Sequence, residues 1–129
     1  MKVYISIGSN LGDRIFFINE ALRMLGGSVK KVSQIIETDP VEMDENAGKF
    51  LNAVAELGTH LQPEELLDVL EGIEKKLGRT DKGKCKSRTI DLDILTYEDL
   101  SIKTDRLTIP HVKFKDREFL CKLYKTLKN

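Results

Sequence analysis

The sequence predicts a single α+β domain that spans residues 1–129. A length of 129 residues suits one hydrophobic core, because single domains usually contain about 100–200 residues. Runs of alternating apolar residues, typical of strands, are interleaved with runs in which apolar residues recur every three or four positions, typical of helices. These runs come in the order strand, helix, strand, strand, helix, strand. Order and length together indicate one antiparallel sheet covered by two helices.

The first half of the domain contains two predicted strands and one predicted helix. Apolar residues alternate over residues 3–7, which predicts the first strand. The helix is predicted over residues 11–25, with Asn10 or Asp13 as its expected cap. Its apolar face consists of Leu11, Ile15, Ile18, Leu22 and Leu25. Residues 32–37 form the second strand candidate, with weaker alternation.

The second half contains two more long strands, a short edge strand and two more helices. Residues 50–57 predict the third strand, and residues 63–77 predict a helix that starts at a proline, which suits a first helical turn. Residues 88–97 predict the fourth strand. It places Ile90, Leu92 and Ile94 on one face and Asp91, Asp93 and Leu95 on the other. Residues 107–109 predict a short edge strand, and a last helix is expected after Asp116.

This order of elements is the split β-α-β pattern of ferredoxin-like α+β domains. We expect the helices to pack on one face of the antiparallel sheet and the active site to lie on the other face. The residues predicted to point toward that second face are Phe50, Asn52, Asp91 and Asp93.

Composition and charge exclude several classes of protein. Lys and Arg number 21 and so do Asp and Glu, so a general nucleic-acid or membrane-surface binder is not expected. Cys85 and Cys121 form no C-x-x-C pair, which argues against a structural zinc site. No stretch approaches the roughly 18 apolar residues of a membrane span. We therefore expect a cytoplasmic protein with free thiols.

The sharpest chemical feature is the pair Asp91 and Asp93, which a strand presents on one face about 6.5–7 Å apart. Carboxylates this close repel by roughly 2–3 kcal/mol, which favours a cation between them. Residues 75–88 contain seven Lys or Arg and one Asp, a net charge of +6. Basic side chains beside an acid pair suggest a polyphosphate held together with Mg²⁺. A solvated acidic strand face beside a solvated basic loop is the simpler alternative.

Other candidate features carry less weight. Gly8-Ser9-Asn10 joins a strand to a helix start, where anions bind, but a plain tight turn explains it equally well. Phe50 and Asn52 share a strand face and suit a flat heterocycle, by stacking and by hydrogen bonding, unless Phe50 simply packs under the acidic residues 37–48. His111 is either a phosphate contact or an ordinary surface histidine.

Several segments of the chain resemble a known family in the same order. They include Y-I-S-I-G-S-N-L over residues 4–11, E-T-D-P-V over 37–41, F-L-N-A over 50–53, R-T-I-D-L-D-I-L over 88–95 and L-T-I-P-H over 107–111. The sequence is similar to hydroxymethyl-dihydropterin pyrophosphokinase (HPPK) of folate biosynthesis, and the likeness covers nearly the whole chain. The resemblance implies one HPPK-like domain, residues 1–129, with a ferredoxin-like fold.

The resemblance also implies an activity and a set of site residues. The β,γ-diphosphate of ATP would pass to the hydroxymethyl oxygen of a dihydropterin, releasing AMP, with two Mg²⁺ ions bound by Asp91 and Asp93. Catalysis would further use Arg79 and Arg88. The nucleotide would contact Arg79, Arg88, His111, Arg117, Glu71 and Glu74. The pterin would contact Gly8, Thr38, Val41, Phe50, Asn52 and Phe119. Residues 37–48 and 80–87 would form lids over the site.

Two internal segments depart from the family pattern, and two other classes of protein fit the sequence less well. Cys85-Lys86-Ser87 stands where relatives often have Trp-Gly-Pro, and Val112 stands where a Tyr is often found. A D-x-D nucleotidyl or glycosyl transferase would need nucleotide-binding α/β repeats, which are missing. A ferredoxin-like RNA-binding module would need an aromatic, basic strand where Asp91 and Asp93 stand.

Overall fold

The computed structural model describes residues 1–39, 48–79, 88–112 and 114–128. The elements are β1 (Lys2–Ser9), α1 (Arg14–Leu25), β2 (Val29–Val32), β3 (Ile36–Thr38), β4 (Phe50–Gly58), α2 (Pro63–Lys76), β5 (Asp91–Tyr97), β6 (Ile102–Lys103), β7 (Thr108–Ile109) and α3 (Glu118–Lys128). A short 3₁₀ turn, Gly26–Ser28, follows α1. Within these ranges, no helix is both long enough and apolar enough to cross a membrane.

The main sheet has the strand order β2-β4-β1-β5, with β3 also paired to β4. All of its pairs are antiparallel. This is the strand order that a split β-α-β chain produces, and the predicted α+β fold is confirmed. Because β1 is central, its last residues have β4 on one side and β5 on the other. The third and fourth predicted strands therefore meet around one short segment of β1.

One face of the sheet carries the main core, as the apolar spacing predicts. Helices α1 and α2 contribute Ile18, Ala21, Leu66, Leu70 and Ile73. These pack on Val3, Ile5 and Ile7 of β1, on Leu92 and Ile94 of β5, and on Ile90 just before β5. All of these side chains are buried. Burying one such aliphatic side chain contributes about 1.5–3 kcal/mol, so this cluster is the main source of stability.

Helix α3 covers part of the opposite face of the sheet, and the rest of that face is open within the described part of the chain. Leu120, Leu123 and Leu127 of α3 pack on Tyr4, Val54 and Leu95 of the sheet. The predicted arrangement of two helices on one face holds for α1 and α2, while α3 covers part of the second face. The end of the sheet near Gly8 remains for a binding site.

The structure differs from the predicted strand over residues 32–37. Two short strands, β2 and β3, replace it, separated at Ser33. The Ser33 N–H donates to the Val54 carbonyl oxygen at 2.8 Å, and the Ser33 hydroxyl oxygen accepts from the Val54 N–H at 2.8 Å. A side-chain oxygen thus takes the place of a backbone acceptor. The regular backbone pairing with β4 is interrupted here, between the end of β2 and the start of β3.

The predicted first helix also starts later than its apolar spacing suggests. It begins at Arg14, and the Asp13 carboxylate accepts from the Phe16 N–H at 3.1 Å, so Asp13 is the cap. Leu11 and Ile15 are half exposed instead of lining the core. The core contacts come from the next turns, at Ile18 and Ala21.

Tyr4 makes a buried hydrogen bond under α3, and we expect its contribution to the stability of the fold to be lost at alkaline pH. Its hydroxyl donates to Glu56 Oε1 at 3.0 Å, and burial together with the Glu56 charge raises the pKa of Tyr4 to about 12. A raised folded-state pKa stabilises the protein fully below the unfolded value near 10, and this contribution is lost as pH rises toward 12. We expect the stability difference between wild type and Tyr4→Phe to shrink between pH 9 and pH 12.

Urea unfolding at several pH values measures this difference. Tyr97 also has a raised pKa because of burial, but it titrates in both proteins and cancels in the comparison. A difference that stays constant from pH 9 to pH 12 would contradict the prediction.

Candidate active site

The site is built around Gly8, near the end of the central strand. Gly8 lies opposite Asn52 on β4 and opposite Asp91 on β5. Two residues earlier on β1, Ser6 lies opposite Asp93. The strand that carries Asn52, β4, and the strand that carries Asp91 and Asp93, β5, therefore flank the same segment of β1. This agrees with the prediction that these side chains share one face of the sheet.

Gly8 leaves room that a side chain would fill. A Cβ built there lies 3.1 Å from Asn52 Oδ1 and 3.4 Å from Phe50 Cδ1. Both distances are short for carbon, so a methyl group would press on the two β4 side chains. With glycine at this position, no side chain rises from β1 between the β4 and β5 side chains.

The two predicted metal-binding carboxylates have different neighbours. Asp91 Oδ1 lies 2.9 Å from Arg79 Nη1, and Asp91 Oδ2 lies 3.7 Å from Arg88 Nη1. Asp93 Oδ1 lies 3.7 Å from His111 Nε2. The structure thus brings together Asp91, Asp93, Arg79, Arg88 and His111, as the sequence predicts.

The surroundings of the Asp93 carboxyl group disfavour its charged form. Desolvation in the cleft floor raises its pKa well above the usual value, and the charges of Asp91 and Glu74 raise it further, against the opposing effect of Arg79 and Arg88. The side chain nevertheless keeps 37% of its surface accessible. A bound cation would reach this group and relieve the repulsion.

Glu74 and Arg79 lie along the outer edge of β5, the last strand of the sheet among the described residues. Glu74 Oε2 accepts from the Leu92 N–H at 2.8 Å and from Arg79 Nη1 at 2.6 Å. Burial raises the pKa of Glu74, although the Leu92 N–H and Arg79 oppose the shift. Burial lowers the pKa of Arg79, but Asp91 and Glu74 outweigh it and raise that pKa. Arg79 is thereby held between two carboxylates.

A second group of predicted residues lies on the β3–β4 side. Asn52 is buried, and its Nδ2 donates to Thr38 Oγ1 at 2.6 Å. Phe50 pairs with Thr38 in the register of these strands. Beside them, a cleft of about 660 Å³ opens between β3 and the start of α3, and Thr38, Arg117 and Phe119 line it. The Phe119 ring and Thr38 thus line a cleft that suits a flat polar ligand, and the Asn52 amide reaches it through its hydrogen bond to the Thr38 hydroxyl.

Some predicted site residues are placed elsewhere or fall outside the described ranges. Glu71 is directed to Arg106, whose guanidinium donates to it at 2.8 Å and also pairs with Asp68. Val41, the basic residues 80–87 and most of the acidic residues 37–48 lie outside the described ranges, so the predicted lids and pterin contact there stay predictions. Cys121 is a free thiol.

Within the described parts of the chain, no three His, Cys, Asp or Glu side chains come together as a closed metal site. The acid pair instead offers two hard oxygen ligands and leaves further positions open. Mg²⁺ binds in this manner when substrate phosphates and water complete its shell. The residues present therefore fit Mg²⁺ bound together with a phosphate-bearing substrate.

Comparison with known protein families identifies the family of this chain. The family model of 7,8-dihydro-6-hydroxymethylpterin-pyrophosphokinase (HPPK) matches residues 4–129. The chain belongs to this family. The HPPK assignment that the sequence motifs imply is confirmed.

Two bacterial HPPK relatives are similar along most of their length. The 2-amino-4-hydroxy-6-hydroxymethyldihydropteridine pyrophosphokinase of Bacillus subtilis is 42% identical over 121 residues, covering 91% of this chain and 72% of the relative. The protein of the same name from Aquifex aeolicus is 40% identical over 119 residues, covering 91% of this chain and 74% of the relative.

A solved structure supports the HPPK fold. A Plasmodium falciparum HPPK-DHPS crystal structure matches with a TM-score of 0.65 at 14% identity. The match covers 92% of this chain and 39% of that longer chain. At this identity the likeness concerns the fold, and it agrees with the strand order found here.

Proposed function

We propose that this chain transfers the β,γ-diphosphate of ATP to 6-hydroxymethyl-7,8-dihydropterin, giving the pterin diphosphate and AMP for folate biosynthesis. Family membership supports the reaction. The observation that carries the proposal at the level of residues is the strand register at Gly8, which puts Asn52 on one side and Asp91 on the other. A pterin-reading amide and a phosphate-binding acid pair then border the same surface.

We expect the reaction to use two Mg²⁺ ions, both bound by Asp91 and Asp93. Mg²⁺ would neutralise phosphate charge and act as a Lewis acid on the transferred group. The placement of Asp91 and Asp93 two residues apart on β5 and the raised pKa of Asp93, caused by desolvation and by the neighbouring acids, support this assignment. ATP is the expected co-substrate, since its phosphate oxygens supply the remaining ligands.

Basic side chains around the acid pair are proposed to hold the triphosphate. Arg79 and Arg88 lie against Asp91, so their guanidinium groups stand where phosphate oxygens would approach the metal. His111 lies against Asp93 and is proposed to contact phosphate. Diphosphate transfer depends mainly on positioning and charge neutralisation, and these residues provide both.

Further nucleotide contacts stay predictions. Arg117 borders the cleft near Phe119, and Glu71 lies on α2 beside Arg106. Glu74 is better supported as a residue that positions Arg79, because its carboxylate is already bonded to Arg79 and to the Leu92 N–H.

The pterin is proposed to bind on the β3–β4 side. Phe50 and Phe119 would stack on its two faces, while Asn52, Thr38 and Val41 would read its polar edge. The hydrogen bond between Asn52 and Thr38 fixes the amide orientation and supports this reading. We further propose that residues 1–129 form one catalytic domain and that it acts in the cytoplasm.

Replacing Gly8 with alanine tests the close approach at the centre of the site. The added methyl group would meet Asn52 Oδ1 at 3.1 Å and displace the amide. We expect the Kd for the pterin to rise about tenfold, a loss of about 1.4 kcal/mol, while the Kd for ATP changes little. Pterin fluorescence titration measures the first and calorimetry with a non-hydrolysable ATP analogue measures the second. Equal losses for both ligands would contradict this prediction.

A direct assay tests the function itself. Purified protein is incubated with ATP, MgCl₂ and 6-hydroxymethyl-7,8-dihydropterin, and the products are separated by chromatography. The proposal predicts AMP and pterin diphosphate in equal amounts. Formation of ADP, or no product with both substrates present, would overturn it.

A further inference from the structure

Asn10 joins two segments that are far apart in sequence. It is buried, with 6% of its surface exposed. Its Nδ2 donates to the Gly48 carbonyl oxygen at 3.2 Å, across 38 residues of sequence. Its Oδ1 accepts from the Arg88 N–H at 2.7 Å, across 78 residues. The Asn10 backbone N–H also donates to the Arg88 carbonyl oxygen at 3.0 Å.

The role that the sequence suggests for Asn10, a cap of α1, does not account for this geometry. The cap of α1 is Asp13, so Asn10 is not needed to start the helix. The two ends of its amide instead bind opposite kinds of backbone group, a carbonyl and an N–H. Only an amide side chain supplies a donor and an acceptor of this shape at once.

The two segments lead directly into the two halves of the site. Gly48 precedes Phe50 and Asn52, the proposed pterin residues on β4. Arg88 is itself a proposed phosphate ligand and precedes Asp91. Gly48 packs tightly here, because a Cβ built on it would lie 3.3 Å from the Asn10 carbonyl oxygen.

Arg14 strengthens only one of these two links. Its Nη1 donates to the Lys49 carbonyl oxygen at 2.8 Å and to Glu37 Oε2 at 2.9 Å. This ties α1 to the β3 and β4 sides of the cleft. The bonds to Arg88, by contrast, are made by Asn10, so this residue links the phosphate side to the pterin side.

We propose that Asn10 is a positioning residue for the diphosphate transfer, acting through the backbones of Arg88 and Gly48. It holds the start of the phosphate-binding strand at a fixed distance from the start of the pterin-binding strand. The inference rests on the proposed function. Transfer rates are sensitive to such placement, since a misplacement of about 1 Å costs roughly a hundredfold in rate.

Two substitutions separate the two arms of the amide. Asn10→Ala removes both side-chain bonds, and Asn10→Asp keeps the acceptor for the Arg88 N–H but loses the donor to Gly48. We expect kcat to fall by about a hundredfold in the first and by about tenfold in the second. Each substrate bound alone uses one half of the site, so both Kd values should change by less than about threefold.

Asp13→Ala serves as the matched control. It removes the helix cap three residues away, so it should lower the melting temperature without lowering kcat per folded molecule. Circular dichroism gives the folded fraction of every variant. If Asn10→Ala fails to fold, the Asn10→Asp comparison still tests the Gly48 arm.

The outcomes distinguish the inference from the proposed function. A wild type that forms AMP, with kcat reduced in the Asn10 variants and both Kd values kept, supports the positioning role. Unchanged kcat per folded molecule in the variants overturns that role, as does a loss confined to one Kd. A wild type that forms no AMP overturns the proposed function instead.

Discussion

Replacing Asp93 with asparagine is expected to lower turnover by at least about a thousandfold, because loss of one metal-binding carboxylate removes several kcal/mol of charge stabilisation. Asp93 lies opposite Ser6 of β1 and beside His111, and desolvation together with the neighbouring acids already disfavours its charge. Asparagine keeps the shape and removes that charge. The protein should therefore fold normally and fail in catalysis. AMP formation under saturating substrates and graded MgCl₂ measures the effect.

Asp99→Asn provides the control for the loss of one negative charge. Asp99 lies exposed in the turn after β5, away from the cleft. The turnover of the Asp99→Asn variant should match that of the wild type at every Mg²⁺ concentration. Chelation with EDTA should abolish wild-type activity and readdition of Mg²⁺ should restore it. An Asp93→Asn protein that retains more than about a tenth of the turnover would contradict the metal assignment.

Replacing Arg79 with alanine is expected to lower the free energy of unfolding by about 2–4 kcal/mol, because it leaves two partly buried carboxylates without their shared cation. Arg79 Nη1 lies 2.6 Å from Glu74 Oε2 and 2.9 Å from Asp91 Oδ1, with only 16% of its side chain exposed. Both carboxylates then face each other at the edge of β5. Turnover should fall as well, since Arg79 is a proposed triphosphate ligand.

The pH dependence of this loss has a definite sign. Without Arg79, the pKa of Glu74, already raised by burial, should rise further. A raised folded-state pKa stabilises below the unfolded value and loses that contribution as pH rises through the folded value. The deficit of Arg79→Ala against wild type should therefore be largest near pH 7 and shrink toward pH 4.

Arg106→Ala is the matched control for the Arg79 prediction. Arg106 also binds two carboxylates, Asp68 and Glu71, but 41% of its side chain is exposed. Exposed pairs of this kind contribute about 0–1 kcal/mol. Urea unfolding of both variants gives the comparison. Equal losses for Arg79→Ala and Arg106→Ala would contradict the role assigned to burial around Arg79.

Much of the fold follows from local patterns. The alternation over residues 50–57 and 88–97 predicts which side chains face the helices, and Leu57, Ile90, Leu92 and Ile94 lie there. Because side chains alternate between the two faces of a strand, the sequence shows which side chains share a face without knowledge of the partner strand. For the same reason, the sequence places Asp91 and Asp93 together on the second face.

Local patterns fail where a single residue changes the hydrogen bonding. Ser33 splits one predicted strand into β2 and β3 through its hydroxyl. In β5, Ile94 pairs with Ile5 and Thr96 with Tyr4, so Leu95 is an extra residue. This bulge turns Tyr97 toward the main core, where alternation alone would put it on the other face. Bulges depend on the partner strand, which the chain's own spacing does not reveal.

The sequence by itself determined the order of elements, the two faces of the sheet and the acid pair, because these depend on periodicity along one segment. The tertiary structure decided the register at Gly8, the place of Glu74 at the edge of β5 and the bonds from Asn10 to Gly48 and Arg88. Each of these contacts joins residues distant in sequence, and several end on backbone groups that every residue carries. Residue identity carries no signal for such partners, so they become visible only when packing fixes which strands and loops meet.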